Sequence, residues 1–171
     1  VKDQGQCGSC WAFSTTGNIE GQWFLAGHTL TSVSEQELVS CDTTDEGCNG
    51  GLMDNAFKWL IQNRRGEIVT EAAYPYTSGS GIRGACKSTA EVDNMPIGAV
   101  ITGFNHLAQS EDTLAAAVAK APAAVAVDAT SFQSYRGGIL TSCTKRQINH
   151  GVLAVGYVDD NVPPYWIIKN S

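Results

Sequence analysis

The chain has 171 residues, 43% of them hydrophobic and 16% charged, a balance that supports a buried core and excludes a disordered tail. Its 11 Lys and Arg against 17 Asp and Glu give a formal charge of −6, and the basic residues are scattered apart from Arg64-Arg65, which argues against nucleic acid as a partner. No apolar run reaches the length of a membrane span, because Lys120 and Pro122 interrupt the longest candidate, around 115–127.

Residues 9–25 suit a helix, with Trp11, Ala12, Ile19, Trp23 and Phe24 apolar, Ser9 placed as N-cap and Gly27 placed to terminate it. A second helix is announced by the capping-box pattern Ser34-Glu35-Gln36-Glu37 and continues through Leu38 and Val39 toward Cys41. A third is predicted over 52–64, ahead of Gly66. After Tyr74-Pro75-Tyr76 the chain is rich in Gly, Ser and Thr until about Asn94, and reads as loop. One Ala-rich helix over 111–120 stops at Pro122, and strands are predicted at 124–128, 151–158 and 165–169. Turns fall at Gly137-Gly138, at 159–161 and at Pro163-Pro164. The pattern is α+β without internal repeats: a helical lobe over 1–95, then a β-rich lobe over 96–171.

Cys7 and Cys10 stand three positions apart among small residues, so redox partner, metal ligand and nucleophile are all open for Cys10. In the first turn of a helix its sulfur meets unpaired N–H groups and the positive end of the helix dipole, which favour thiolate. A thioredoxin-type site would want a strand before the motif and a parallel βαβ unit after it, and neither is predicted. Zinc binding by Cys7, Cys10, Cys41 and Cys48 meets the difficulty that Cys41 and Cys48 are set wider apart than zinc-ligand pairs usually are. Acyl transfer at Cys10 would need a base and oxyanion donors. Of three histidines, His28 follows a helix terminator, His106 lies in a turn-like stretch, and His150 stands at the mouth of the apolar strand beginning at Val152, where a rigid element can aim it. Asn170 could orient an imidazole, and the Gln4 amide could reach back to an oxyanion; each could equally be a loop-stabilising amide, and His150 an ordinary strand-end residue.

Taken together, Gln4-x-x-Cys7-Gly8-Ser9-Cys10-Trp11, Cys48-Asn49-Gly50-Gly51, His150-Gly151-Val152 and Lys169-Asn170-Ser171 resemble the papain and cathepsin L family of cysteine proteases along the whole chain. Val33-Ser34-Glu35-Gln36-Glu37-Leu38 and Pro164-Tyr165-Trp166-Ile167-Ile168-Lys169 look most like the cathepsin L-like, cruzipain-like proteases of kinetoplastid parasites. The resemblance implies a two-lobe fold with the active site in the cleft between a helical lobe and a β-barrel-like lobe. It makes Cys10 the nucleophile, His150 the base and then acid, Asn170 the orienter and Gln4 the oxyanion-hole donor, with peptide hydrolysis as the reaction and no metal or cofactor.

Gly50 and Gly51 resemble the segment whose bare backbone binds an extended substrate. Leu52, Met53, Ala126 and Ile148 correspond to walls of the pocket for the residue second upstream of the scissile bond, which implies a preference for Leu, Phe or Val there. Without the resemblance these four would read as core. Asn149 is grouped with the substrate-binding residues and stands where many relatives carry Asp. The resemblance also implies disulfides from Cys7 to Cys48 and from Cys41 to Cys86, a Cys143 partner and a pocket-base residue beyond Ser171, and therefore a mature domain cut short at both ends. On that reading these residues alone would be poorly stable and inactive. Peptide and protein substrates, cystatin-like inhibitors and the protein's own propeptide are the implied partners of a monomeric enzyme, made as a zymogen and working in a lysosomal or endosomal compartment or after secretion. An inactive relative acting as a binding protein or antigen is the rival from another class, opposed by the presence of all four catalytic residue types.

Overall fold

The computed structural model describes residues 1–142 and 147–171. Cys143, expected to pair beyond Ser171, lies outside the described residues.

Helix α1 spans Cys10–Leu25. Ser9 is its N-cap, but the Ser9 hydroxyl shares a hydrogen with Tyr76 Oη (2.8 Å) and makes no cap bond. Gly27 follows the C-cap Ala26 with φ of 95°, the left-handed geometry that ends a helix most cheaply on glycine. The first half of α1 is buried on nearly every side, from Trp11 through Gly17, because other elements pack on both flanks.

Helix α2, Glu35–Cys41, starts where predicted, with Ser34 Oγ accepting from the Glu37 N–H. The reciprocal arm of the capping box does not form. Glu37 instead takes Arg64 Nε (2.8 Å) and the Val69 N–H (2.9 Å), and the Ser34 N–H goes to Val69 O. A complete box closes elsewhere, between Ser88 and Glu91, at the head of α4 (Thr89–Asp93), inside the stretch expected to be loop. Helix α3 spans Met53–Asn63. Strands β1 (Glu67–Val69) and β2 (Ile97–Val100) form an antiparallel pair that the sequence pattern did not announce.

The C-terminal part holds helix α5 (Glu111–Val118) and an antiparallel sheet in the order β3-β4-β5, built from Ala123–Val127, His150–Val158 and Tyr165–Lys169. Two cores result. The larger gathers Trp11, Ile19, Leu38, Leu60 and Ile68 from α1, α2, α3 and β1, and it extends past Pro96 to Ala99, with Ile101 and Phe104 packed on it. The smaller holds Val118, Ala123 and Ala154, flanked by Leu114, Tyr157, Trp166 and Ile168.

Helix α1 joins them. Ser14 Oγ donates to Val152 O (2.7 Å) and Asn18 Nδ2 to Pro122 O (2.7 Å). Along the same face a Cβ on Gly17 would come within 3.1 Å of the Leu153 side chain, and one on Gly21 within 2.9 Å of the Pro122 ring. This close seating brings the start of β4 against the N-terminus of α1.

Candidate active site

Cys10 is the first residue of α1 and the free cysteine among the described residues; disulfides join Cys7 to Cys48 and Cys41 to Cys86. Cys7 is therefore no redox partner for Cys10, and Cys7, Cys41 and Cys48 are not available as zinc thiolates. His150 opens β4, opposite Val127 on β3, and its ring stands edge-on to Phe132 with centroids 6.1 Å apart. Asn170 follows β5, with Oδ1 2.6 Å from His150 Nε2. With that oxygen as acceptor, Nε2 carries a proton and Nδ1 is left for Cys10.

Burial pushes the Cys10 thiol up, but hydrogen bonds with the His150 ring and with the Gly151 and Trp11 backbone, together with the imidazolium charge, hold it below the ordinary thiol range. His150 is displaced upward: its hydrogen bond to Cys10 raises it, partial burial opposes, and the Asn170 bond and the thiolate charge add to the rise. Each group favours the charged form of the other, the condition for a thiolate-imidazolium pair. Glycine at 151 favours this approach, since a Cβ there would press on its neighbours at 3.1 Å from Met53 Sδ and 3.3 Å from Cys10 O.

Gln4 is fixed at three points. Its Nε2 donates to Cys7 O (2.9 Å), its Oε1 accepts from the Ser171 hydroxyl (3.0 Å), and its own carbonyl accepts from Tyr76 Oη (2.7 Å). The second hydrogen on Nε2 is still available to an anion formed beside Cys10. The Gly8 N–H donates to Cys48 O (2.8 Å), which with the Cys7–Cys48 disulfide ties the 4–10 segment to the strap 47–52.

In that strap Gly50 has φ 124° and ψ 176°, a conformation essentially reserved for glycine. Gly51 is packed from behind, where a Cβ would fall 2.7 Å from the Trp11 ring and 2.8 Å from the Asp45 carboxyl carbon. So local conformation and rear packing already demand both glycines, apart from any need to admit a substrate backbone. Leu52 and Ile148 are 61% and 66% exposed and Ala126 is exposed, which overturns their reading as core, whereas Met53 is half-buried and packs on the larger core. Asn149 turns its Oδ1 to the Ala129 N–H (2.9 Å) and acts there as a loop clamp. His106 pairs with Asp54 (3.0 Å), and His28 stacks on Trp23.

A family model described as papain family cysteine protease matches residues 1–171. The chain belongs to the papain family of cysteine proteases. It is similar to a cysteine proteinase of Trypanosoma brucei brucei, 61% identical over 172 residues, and to cysteine proteinase A of Leishmania mexicana, 57% identical over 172 residues. Both alignments cover 100% of this chain, which spans 37% and 47% of the two relatives' lengths. The fold is papain-like: bromelain from Ananas comosus in complex with the E64 inhibitor superposes with a TM-score of 0.88 at 35% identity, covering 100% of this chain and 76% of that one.

Sequence reasoning missed several members of this papain-family site. The Gly151 backbone was within reach, since it adjoins His150 in a quoted motif. The Ser171 hydroxyl on Gln4 and the Phe132 ring beside His150 carry no pattern of their own. Asp45, which no sequence motif singles out, is buried.

Proposed function

We propose that the protein containing this chain is a cysteine endopeptidase. The observation that carries the proposal is the α1–β4 junction, where Cys10 and His150 each favour the other's charged form and Asn170 holds the far ring nitrogen at 2.6 Å. In this reading the Cys10 thiolate attacks the peptide carbonyl carbon. The oxyanion is received by the Cys10 N–H and the Gln4 amide. His150 gives its proton to the departing amine as the C–N bond breaks and a thioester forms. It then takes a proton from water, which cleaves the thioester and restores the pair.

Gly50 and Gly51 would hydrogen-bond an extended substrate backbone in strand-addition mode. Leu52, Met53, Ala126 and Ile148 would wall an apolar pocket for the second residue upstream of the scissile bond; Leu52 and Ile148 are exposed apolar side chains, and Met53 and Ala126 neighbour Gly151, next to His150. The division into lobes at 1–95 and 96–171 belongs to the same proposal, with β2 returning to the first lobe. So do thiol-directed blockade by E64 at Cys10, control by cystatin-like inhibitors and a propeptide, monomeric action, and work in a lysosomal, endosomal or extracellular setting. Two disulfides suit an oxidising route, and among the described residues no helix is long and apolar enough to cross a membrane.

The test is hydrolysis by the whole protein of a peptide series varied at the second upstream residue. Leu, Phe or Val is expected to exceed Asp or Lys by about 10-fold or more in kcat/KM, and Cys10→Ala to remove turnover. Turnover that survives Cys10→Ala would overturn the proposal; a flat series would overturn the pocket alone.

A further inference from the structure

Two buried carboxyl groups stand behind the strap and take no part in the reacting set. Asp42 is 0% and Asp45 7% exposed. Asp45 Oδ1 accepts from the Leu52 N–H (3.0 Å) and from Asn55 Nδ2 (3.0 Å), and the same carboxyl backs onto Gly51. It thus sets where the 51–52 backbone lies. Asp42 Oδ1 accepts from the Thr44 N–H (2.7 Å). The two oxygens left over, Asp42 Oδ2 and Asp45 Oδ2, are buried without another partner among the described residues, and Asp45 acts on Asp42 both through its charge and as a hydrogen-bond partner.

Among the described residues no cation is paired with these carboxyl oxygens. Arg83 is the nearby cation, but its guanidinium is spent on the backbone carbonyls of Val39, Ser40 and Asp42 (2.9, 3.3 and 2.9 Å). From α1 the pair meets the neutral Trp11 indole, whose Nε1 donates to Gly47 O; from α3 it meets the neutral Asn55 amide, with Asp54 engaged by His106; Glu46, on the same loop, is exposed. Two ionised carboxylates in that setting repel, whereas one proton between them satisfies both orphaned oxygens.

We propose that a single proton held by Asp42 and donated to Asp45 keeps the 50–52 backbone in its substrate-binding position, which makes Asp45 a positioning residue and substrate affinity proton-dependent. The inference rests on reading 50–52 as the substrate strap. Burial, and then the neighbouring Asp45 charge, keep the Asp42 carboxyl above its ordinary range, at about 6. A carboxyl raised on folding contributes fully below its unfolded value and loses that contribution as pH rises through the folded one. The strap is therefore held firmly in acid and loosened near neutrality.

Asp42→Asn supplies an N–H where the proton sits, at every pH. For an uncharged extended peptide, KM of the wild-type protein is expected to rise about tenfold from about pH 5 to about pH 7.5, beyond any rise in Asp42→Asn, with Tm falling over the same range only in the wild type. Asp45→Ala is expected to show a high KM throughout, while iodoacetamide still alkylates Cys10 at close to the wild-type rate. Equal pH dependence of Tm in wild type and Asp42→Asn would overturn the shared proton. A Tm difference accompanied by identical KM profiles would instead overturn the strap reading, and this inference with it.

Discussion

Asn170 lies at the exposed end of β5, yet its Oδ1 holds the His150 ring, whose orientation the proposed chemistry needs. Replacing it with Ala should lower kcat on the order of 100-fold, because an imidazole free to rotate leaves the attack geometry. The pH profile should change as well. The Asn170 bond is one of the interactions that raise His150, so its loss lowers that pKa and the alkaline limb of kcat/KM moves toward lower pH. A pH series of kcat/KM on Asn170→Ala and wild type checks both, and an unmoved alkaline limb would contradict the assignment. At this scale the residues proposed to react could be picked out because their side chains are chemically distinctive and fall in separated motifs. Asp45 and Phe132 were not, since burial and ring contacts arise from tertiary packing that no local pattern records.

The elements tell a similar story of strong local signals and weak ones. Helices α1, α2, α3 and α5 were legible from caps and apolar spacing. Strands β1 and β2, with three and four residues, are too short for an alternation to register, and they exist because each completes the other. The two capping boxes traded places in effect: Glu37 left its box for Arg64 and Val69, while Ser88 and Glu91 closed one in a glycine- and serine-rich stretch. The strap 47–52 offers the sharpest element-scale test. Gly50→Ala should cost about 1–3 kcal/mol through its backbone conformation, and Gly51→Ala about 1–3 kcal/mol through overpacking against Trp11 and Asp45. Both should raise KM more than they lower kcat, as urea unfolding and steady-state kinetics would reveal. A pure kcat loss would place the strap outside substrate binding.

For the molecule as a whole, the proposed chemistry depends on α1 carrying Cys10 while seating the sheet that carries His150. Ser14→Ala removes the hydrogen bond to the buried Val152 carbonyl and should cost about 1 kcal/mol, read by urea unfolding. Kinetically it should act on kcat, since β4 carries His150. Lys2 ties the N-terminal segment to the same junction through Glu20 (3.1 Å), Glu35 (2.6 Å) and Glu71 (3.0 Å), and a cavity there is lined by Lys2, Glu20, Glu35, Leu153 and Lys169. Lys2→Ala strands the buried Glu35 carboxylate and should destabilise by about 3 kcal/mol, read by urea unfolding; a loss under about 1 kcal/mol would mean the cavity solvates that carboxylate unaided. This long-range geometry was the least legible feature of the sequence, because it depends on small residues at Gly17 and Gly21 meeting Leu153 and Pro122 from far along the chain.

The most direct test of the Cys10–His150 pair is the rate of Cys10 alkylation by iodoacetamide against pH, in the whole protein and in His150→Ala. The pair predicts fast labelling of the wild type well below the ordinary thiol range, and a shift of that labelling up to ordinary thiol behaviour in His150→Ala. Superimposable profiles, both rising only near the pKa of a free thiol, would contradict it.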